Sequence, residues 1–287
     1  MKKSVEGKNV LVTGGSGFLG EELIGFLVAQ NPQKIRVIAR NEGKLILLKQ
    51  KYPSIEFHPG DLANPFDCEQ AAQGMDCCFH LSAFKHVGMA EKFSIECTRS
   101  NVIGTINILE SAARNNFEFI VGISTDKAAQ VVGVYGATKY LMEKLFEQYE
   151  RVNPGIDFRI VRYGNVLYST GSVLCKWKSL LEKGEPVIVT DPKATRFFWT
   201  RTQAVELIFE CLNQAQNTKP WVPEMKAMSI GNLLTAMSKK YLPENKSLQI
   251  KSIGLQPGEN LHEKILEGGP YSNEVEQFTI EEIMELV

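Results

Sequence analysis

No apolar run in this sequence approaches the roughly 18–20 residues that cross a bilayer, so no membrane segment is expected. An excess of one charge is missing too. Lys and Arg number 32 against 33 Asp and Glu, and the net charge of −1 argues against a general nucleic-acid binder. The opening MKKSVEGKNV is basic but has no apolar signal core, which leads us to expect a cytoplasmic protein. The six cysteines (Cys68, Cys77, Cys78, Cys97, Cys175 and Cys211) form no C-x-x-C pair. His58, His80, His86 and His262 show no metal-ligand spacing. Buried thiols in a reducing compartment and no metal are therefore expected. Internal repeats and low-complexity tracts are also missing. What remains, 44% hydrophobic and 23% charged, has the make-up of an ordinary globule. Its 287 residues suffice for one large α/β domain, or for one domain with a smaller cap.

The chain then alternates strand and helix patterns. Asn9–Thr13 is a β-rich run, and Gly14-Gly15-Ser16-Gly17-Phe18-Leu19-Gly20 follows it. Leu23, Ile24, Leu27 and Val28 then recur at helical spacing. A glycine turn between strand and helix suits a dinucleotide pyrophosphate. Gly14 makes the tight turn, Gly17 admits the phosphates to backbone N–H groups, and Gly20 lets helix and strand pack closely. The second strand, Ile35–Ala39, ends at Arg40, where an NAD-binding fold usually places an acid. Arginine there suits the 2′-phosphate of NADP, with Lys44 as a helper. A third strand at 55–57 leads to Gly60-Asp61-Leu62, where Asp61 can accept from the adenine amino group. A fourth, Cys77–Ser82, brings Ala83 to the cofactor. The fifth is Phe119–Ile123 and the sixth Phe158–Arg162. Alternation of this kind predicts a doubly wound parallel sheet of Rossmann type, with ligands at the carboxyl ends of its strands. After Asn165 the alternation weakens. Residues 166–287 read as a smaller C-terminal α/β substrate cap on an NADP-binding domain of residues 1–165, with helix 202–216 folding back onto the sheet.

The fifth strand runs into Ser124–Lys139, STDKAAQVVGVYGATK. Tyr135 and Lys139 are four apart at the start of a helix and share a face. A free phenol, with pKa about 10, is a poor base at neutral pH, and a neighbouring ammonium favours phenolate. Such a pair takes a proton from an alcohol while hydride leaves its carbon. Thr125, Asp126 and Lys127 place a hydroxyl, an acid and an amine at the end of the strand. A lysine acting as a base there must be neutral, and Asp126 opposes that.

The glycine turn, Tyr135-x-x-x-Lys139 and Arg162-Tyr163-Gly164-Asn165-Val166 resemble the extended short-chain dehydrogenase/reductases. STDKAA, YGATK, RYGNVL, TDPKATRFF and the tail GLQPGENLHEKI are similar to one branch of these, the inverting UDP-N-acetylglucosamine 4,6-dehydratases of polysaccharide biosynthesis. The likeness spans roughly residues 8–267. Gln130-Val131-Val132-Gly133 stands where the branch often has Asn-Pro, and Gln256 where its tail has arginine. The resemblance implies NADP as cofactor, a UDP-sugar as substrate and a homo-oligomer in which helices 101–115 and 135–151 pair with a partner's copies. It further implies that Tyr135 and Lys139 serve C4 oxidation and that Asp126 and Lys127 are the acid and base of the dehydration. Lys85, Asn165 and Arg196 then face the UDP-sugar, Glu259 takes the uridine ribose, and Asn101 orders a helix bend that supports Lys139. Lys85 also borders the cofactor. A UDP-sugar 4-epimerase or a reductase on the same fold remains the alternative, and a non-catalytic NADP-binding regulator is a further one.

Overall fold

A computed structural model describes residues 3–287. The elements run β1 (Asn9–Thr13), α1 (Phe18–Val28), β2 (Lys34–Ala39), α2 (Glu42–Lys51), β3 (Glu56–Pro59), α3 (Pro65–Ala72), β4 (Cys77–His80), α4 (Val87–Lys92), α5 (Ser94–Thr98), α6 (Gly104–Arg114), β5 (Phe119–Thr125), α7 (Val134–Val152) and β6 (Asp157–Tyr163). The C-terminal part adds β7 (Asn165–Val166), α8 (Val173–Lys183), β8 (Val187–Val189), β9 (Thr195–Trp199), α9 (Arg201–Gln214), β10 (Ala227–Ser229), α10 (Ile230–Tyr241), β11 (Ile250–Ser252) and α11 (Ile280–Leu286).

Strands β1–β6 form one parallel sheet in the order β3-β2-β1-β4-β5-β6, the Rossmann-type arrangement expected. Helices cover both faces, so the central strands are apolar at nearly every position. Successive side chains divide between two cores. Val10, Val12 and Phe79 pack with Leu23, Ile24 and Leu27 of α1 and Val205 and Ile208 of α9. Leu11, Ile120 and Ile160 pack on the other side with Ile108 and Leu109 of α6 and Met142 and Phe146 of α7. The neighbours Cys77 and Cys78 fall into opposite cores, as a pleated strand requires. Five of the six thiols are buried; Cys175 is exposed.

Helix boundaries follow local chemistry. Asn41 accepts from the Lys44 amide at the start of α2. Asn64 caps α3, and Pro65 occupies its first turn, where no amide partner is lost. Thr200 and Gln203 close a capping box on α9. The helix expected over 101–115 departs from regularity at its start: Arg99–Ile103 is a π-helical turn, and the α-helix begins at Gly104. Asn101 sits in that turn.

The C-terminal part has its own core. Leu174, Trp177 and Leu181 of α8 meet Leu233 and Met237 of α10 and Ile283 of α11. Two small sheets, β10-β9-β7 and β11-β8, frame it. The chain crosses back from this part as α9, which covers one face of the large sheet. No helix among the described residues is long and apolar enough to cross a membrane.

Candidate active site

The strand order reverses between β1 and β4, which opens a crevice at their carboxyl ends. A cavity of about 790 Å³ occupies it and extends beneath the C-terminal part. At one end lies the glycine turn. Gly14 has φ +69°, and a Cβ there would stand 2.9 Å from the backbone of Ser82, so β1 and the β4 loop meet only because the side chain is absent. A Cβ on Gly20 would stand 2.5 Å from the Gly14 carbonyl oxygen. No side chain caps the start of α1. Its first amides therefore have no partner on their own helix and open on the cavity beside Ser16, Gly17, Phe18 and Leu19. This cradle of uncapped amides fits a pyrophosphate.

The other residues singled out in the sequence arrange along the same cavity. Arg40 and Lys44 lie beyond the glycine turn, with Asp61 and Leu62 beside them. Ala83 and Lys85 follow on the loop after β4. Thr125, Lys127, Tyr135 and Lys139 stand at the centre, and Asn165, Arg196 and Glu259 line the side formed by the C-terminal part. Two named residues do not line it. Asn101 is structural by position: it accepts from the Phe84 amide at 2.7 Å and donates to the Phe84 carbonyl and the Thr138 hydroxyl. It thereby ties the β4 loop to α7 next to Lys139.

Asp126 is the second of these. It is fully buried and absent from the lining. Its Oδ1 accepts from the Thr125 hydroxyl at 2.8 Å and from Lys127 Nζ at 3.1 Å, while Oδ2 has no partner. Asp126 opens the 3₁₀ turn over Asp126–Ala128, which Thr125 caps. Lys127 sits between two carboxylates. Burial alone would lower its ammonium, but the carboxylates of Asp126 and Glu263 outweigh that and hold it above the usual lysine range. In the free protein the ammonium form is therefore favoured.

The tyrosine–lysine pair also differs from expectation in detail. Burial pushes the Tyr135 phenol up to about 12, Lys127 pulls it down, and Asp126 pushes it up. Lys127 is thus one cation that acts on the phenol, and a hydrogen bond with Thr125 also pulls it down. Lys139 donates to the Ile123 carbonyl at 2.5 Å and to Met142 Sδ. Desolvation lowers its ammonium to about 8, against an upward pull from Glu143. On the cap side, Arg196 has one arm of its fork committed. Its Nη1 donates to the Thr195 and Leu261 carbonyls at 2.8 and 3.0 Å. Glu259 accepts from the Gln256 amide at 3.1 Å, and Gln256 itself stays outside the cavity lining.

Glu263 was missed by sequence reasoning. It lines the cavity, is 1% exposed, and lies 3.6 Å from Lys127 Nζ and 3.8 Å from Arg196 Nε. Its only sequence signal was membership of the tail LHEKI, more than a hundred residues after β5.

A parallel Rossmann sheet whose switch-point crevice holds both a glycine turn and a Tyr-x-x-x-Lys pair defines the short-chain dehydrogenase/reductase class. Within it, the chain belongs to the family of polysaccharide biosynthesis proteins, which it matches over residues 10–285. It is 36% identical over 267 residues to an uncharacterized membrane protein of Methanocaldococcus jannaschii, covering 90% of this chain and 80% of that protein. Over 263 residues it is 32% identical to an inverting UDP-N-acetylglucosamine 4,6-dehydratase of Campylobacter jejuni, with coverage of 90% and 77%. A UDP-glucose 4-epimerase of Rickettsia canadensis is 30% identical over 267 residues, again covering 90% and 77%. Among solved structures, Pen from Bacillus thuringiensis matches with TM-score 0.93 at 27% identity, over 98% of this chain and 97% of that one.

Proposed function

We propose that this protein is an NADP-dependent enzyme that dehydrates UDP-N-acetylglucosamine across C5 and C6 with inversion at C5. The observation that carries the reading is Lys127, a charged amine on the cavity wall beside Tyr135. A 4-epimerase needs the Tyr135 and Lys139 pair alone. An additional proton donor serves a reaction in which a hydroxyl must leave as water.

In this reading the glycine turn holds the pyrophosphate of the dinucleotide, Asp61 its adenine, and Arg40 with Lys44 its 2′-phosphate. A dinucleotide held there would supply hydride transfer, from C4 and back to C6, with no net change over a turnover. Tyr135 takes the proton of the 4-hydroxyl. Its high value in the free protein falls when a cation is placed against it, and Lys127 already acts in that direction. The ketone then formed at C4 acidifies the C5 proton, and Lys127 protonates the departing 6-hydroxyl. Lys85, Asn165 and Glu259 face the UDP-sugar. Arg196, half committed to backbone carbonyls, keeps the rest of its fork for the same ligand or for Glu263. Residues 1–165 with α9 form the cofactor domain of this reading, and the remaining C-terminal segments the substrate cap.

The test is incubation with UDP-N-acetylglucosamine and NADP⁺ in D₂O, followed by mass spectrometry and NMR. Loss of one water, deuterium at C5 and the L-arabino configuration are expected. A product of unchanged mass with inverted C4 would replace this reading with the epimerase, which the Rickettsia relative favours.

A further inference from the structure

Two segments that the proposed reaction does not use, 130–133 and 256–258, meet in the fold. A Cβ on Gly133 would stand 3.0 Å from Gly258 Cα and 2.5 Å from Glu91 Oε1. A Cβ on Gly258, whose φ is +83°, would stand 3.2 Å from the same Oε1 and 3.0 Å from Val87 Cγ1. Both glycines therefore present bare backbone to one side chain of α4, the carboxylate of Glu91. A larger residue at either place would push it away or force the two segments apart.

Each segment leads straight to a residue of the cavity wall. Gly133 is the N-cap of α7 and has no side chain to meet the first amides of that helix. Glu91 Oε1 takes this part and accepts from the Val134 amide at 2.7 Å. The helix is thus capped by another element, with a carboxylate at its positive end. Tyr135 is the next residue. On the other segment, Gly258 is followed by Glu259, which lines the cavity. The Glu259 amide donates to the Gln256 carbonyl at 3.0 Å, and its carboxylate accepts from the Gln256 amide at 3.1 Å, so this turn moves as one piece. Helix α4 itself starts at the cavity, which His86, Val87 and Met89 line. It therefore runs from the cavity wall to both segments.

We propose that Glu91 is a positioning residue. Its carboxylate fastens the start of the helix that carries Tyr135 to the turn that carries Glu259, and so holds these two in one geometry across the cleft. The inference rests on the reading above, in which both face the sugar nucleotide. Glu91 is itself exposed and does not line the cavity, so it acts through its two neighbours. A small shift of a proton acceptor against its substrate is felt strongly in rate. The loss of Glu91 is therefore read in the rate of the first step at saturating sugar.

The test compares Glu91→Ala with Glu91→Gln, which keeps an acceptor for the Val134 amide. In Glu91→Ala, amide hydrogen exchange read by mass spectrometry should speed up at least about 5-fold in peptides covering 133–139 and 256–261, and stay unchanged over the glycine turn. With UDP-N-acetylglucosamine at saturation, enzyme-bound NADPH should form about 10-fold more slowly, while NADP⁺ affinity stays within about twofold of wild type. Glu91→Gln should bring exchange and rate back to within about threefold of wild type. A residue with a merely structural part would lower the melting temperature of the alanine variant and leave the rate at saturating sugar as it was. That result overturns the inference. So does unchanged exchange in either peptide, or a glutamine variant as slow as the alanine one. A wild type that forms no NADPH with this sugar nucleotide overturns the UDP-N-acetylglucosamine reading instead, and the exchange in the two peptides then decides the part of Glu91 by itself.

Discussion

Tyr135 and Lys139 are four residues apart in sequence, yet their environments push them in opposite directions. Tyr135→Phe removes the phenol that takes the 4-hydroxyl proton. Bound NADPH formation should drop at least about 100-fold with little change in NADP⁺ affinity, as read by fluorescence titration. A phenylalanine variant that reduces NADP⁺ normally would remove Tyr135 from the chemistry. Lys139 makes a stability prediction. Its folded value, about 8, lies below the unfolded 10.5, so between those limits the unfolded chain binds the extra proton. Stability contributed by this site therefore rises with pH across about 8 to 10.5. Buried tyrosines and thiols work the other way above about 9, so the comparison must be differential. The gap in unfolding free energy between wild type and Lys139→Met should grow in favour of wild type from pH 8 to pH 10 in urea titrations. A flat gap would mean that Lys139 stays charged in the fold. For Arg40, the expected result is a preference for NADP⁺ over NAD⁺ in wild type that Arg40→Asp abolishes. Equal wild-type affinities would remove the 2′-phosphate argument.

Among the elements, β6, α7 and the tail meet at a buried ion pair. Arg162, on β6, donates through Nη2 to Glu143 Oε2 at 2.5 Å and through Nε to Glu143 Oε1 at 3.0 Å. Ser124 Oγ donates to the same Glu143, and Nη2 reaches Glu267 at 3.1 Å. Breaking such a pair from one side leaves a buried charge. Arg162→Ala should therefore destabilise by about 3–5 kcal/mol in denaturant titration. Because the tail that carries Glu263 is docked on this arginine, C5 exchange should be lost well before cofactor binding. Arg162→Met, which leaves Glu143 equally unpaired, should be no better. Recovery in the double variant Arg162→Met/Glu143→Met would show that unpaired charge, rather than lost shape, is the cause.

At the scale of the whole molecule, large apolar side chains stay exposed on the helices around β5. Ile103 is 39% exposed, Tyr140 41% and Leu141 45%, at the start of α6 and on α7. The resemblance of this chain to the short-chain dehydrogenase/reductases implies that these helices pair with those of a second copy. Light scattering at micromolar concentration should give at least twice the 32.1 kDa chain mass, and Tyr140→Asp/Leu141→Asp should return it to the monomer. A wild-type monomer would contradict this.

The sequence by itself determined the sheet, because strands buried on both faces must be apolar runs and the helices between them must carry one apolar stripe. It determined the cofactor end of the cleft as well. A tight turn, a close backbone approach and a helix start all act over a few neighbouring residues, and Gly14, Gly17 and Gly20 record them locally. Tyr135 and Lys139 were legible for the same reason, since one turn of helix sets their spacing. Only the tertiary structure decided which of two adjacent residues faces the cleft. In the 3₁₀ turn Asp126 is buried and Lys127 lines the cavity, and no residue pattern encodes that difference. Nor could the sequence bring Glu263 to Lys127. Their meeting depends on Arg162 and Thr195 clamping a tail that arrives more than a hundred residues later. The charge of Lys127 draws on that meeting, because the Glu263 carboxylate adds to that of Asp126 against the cost of burial.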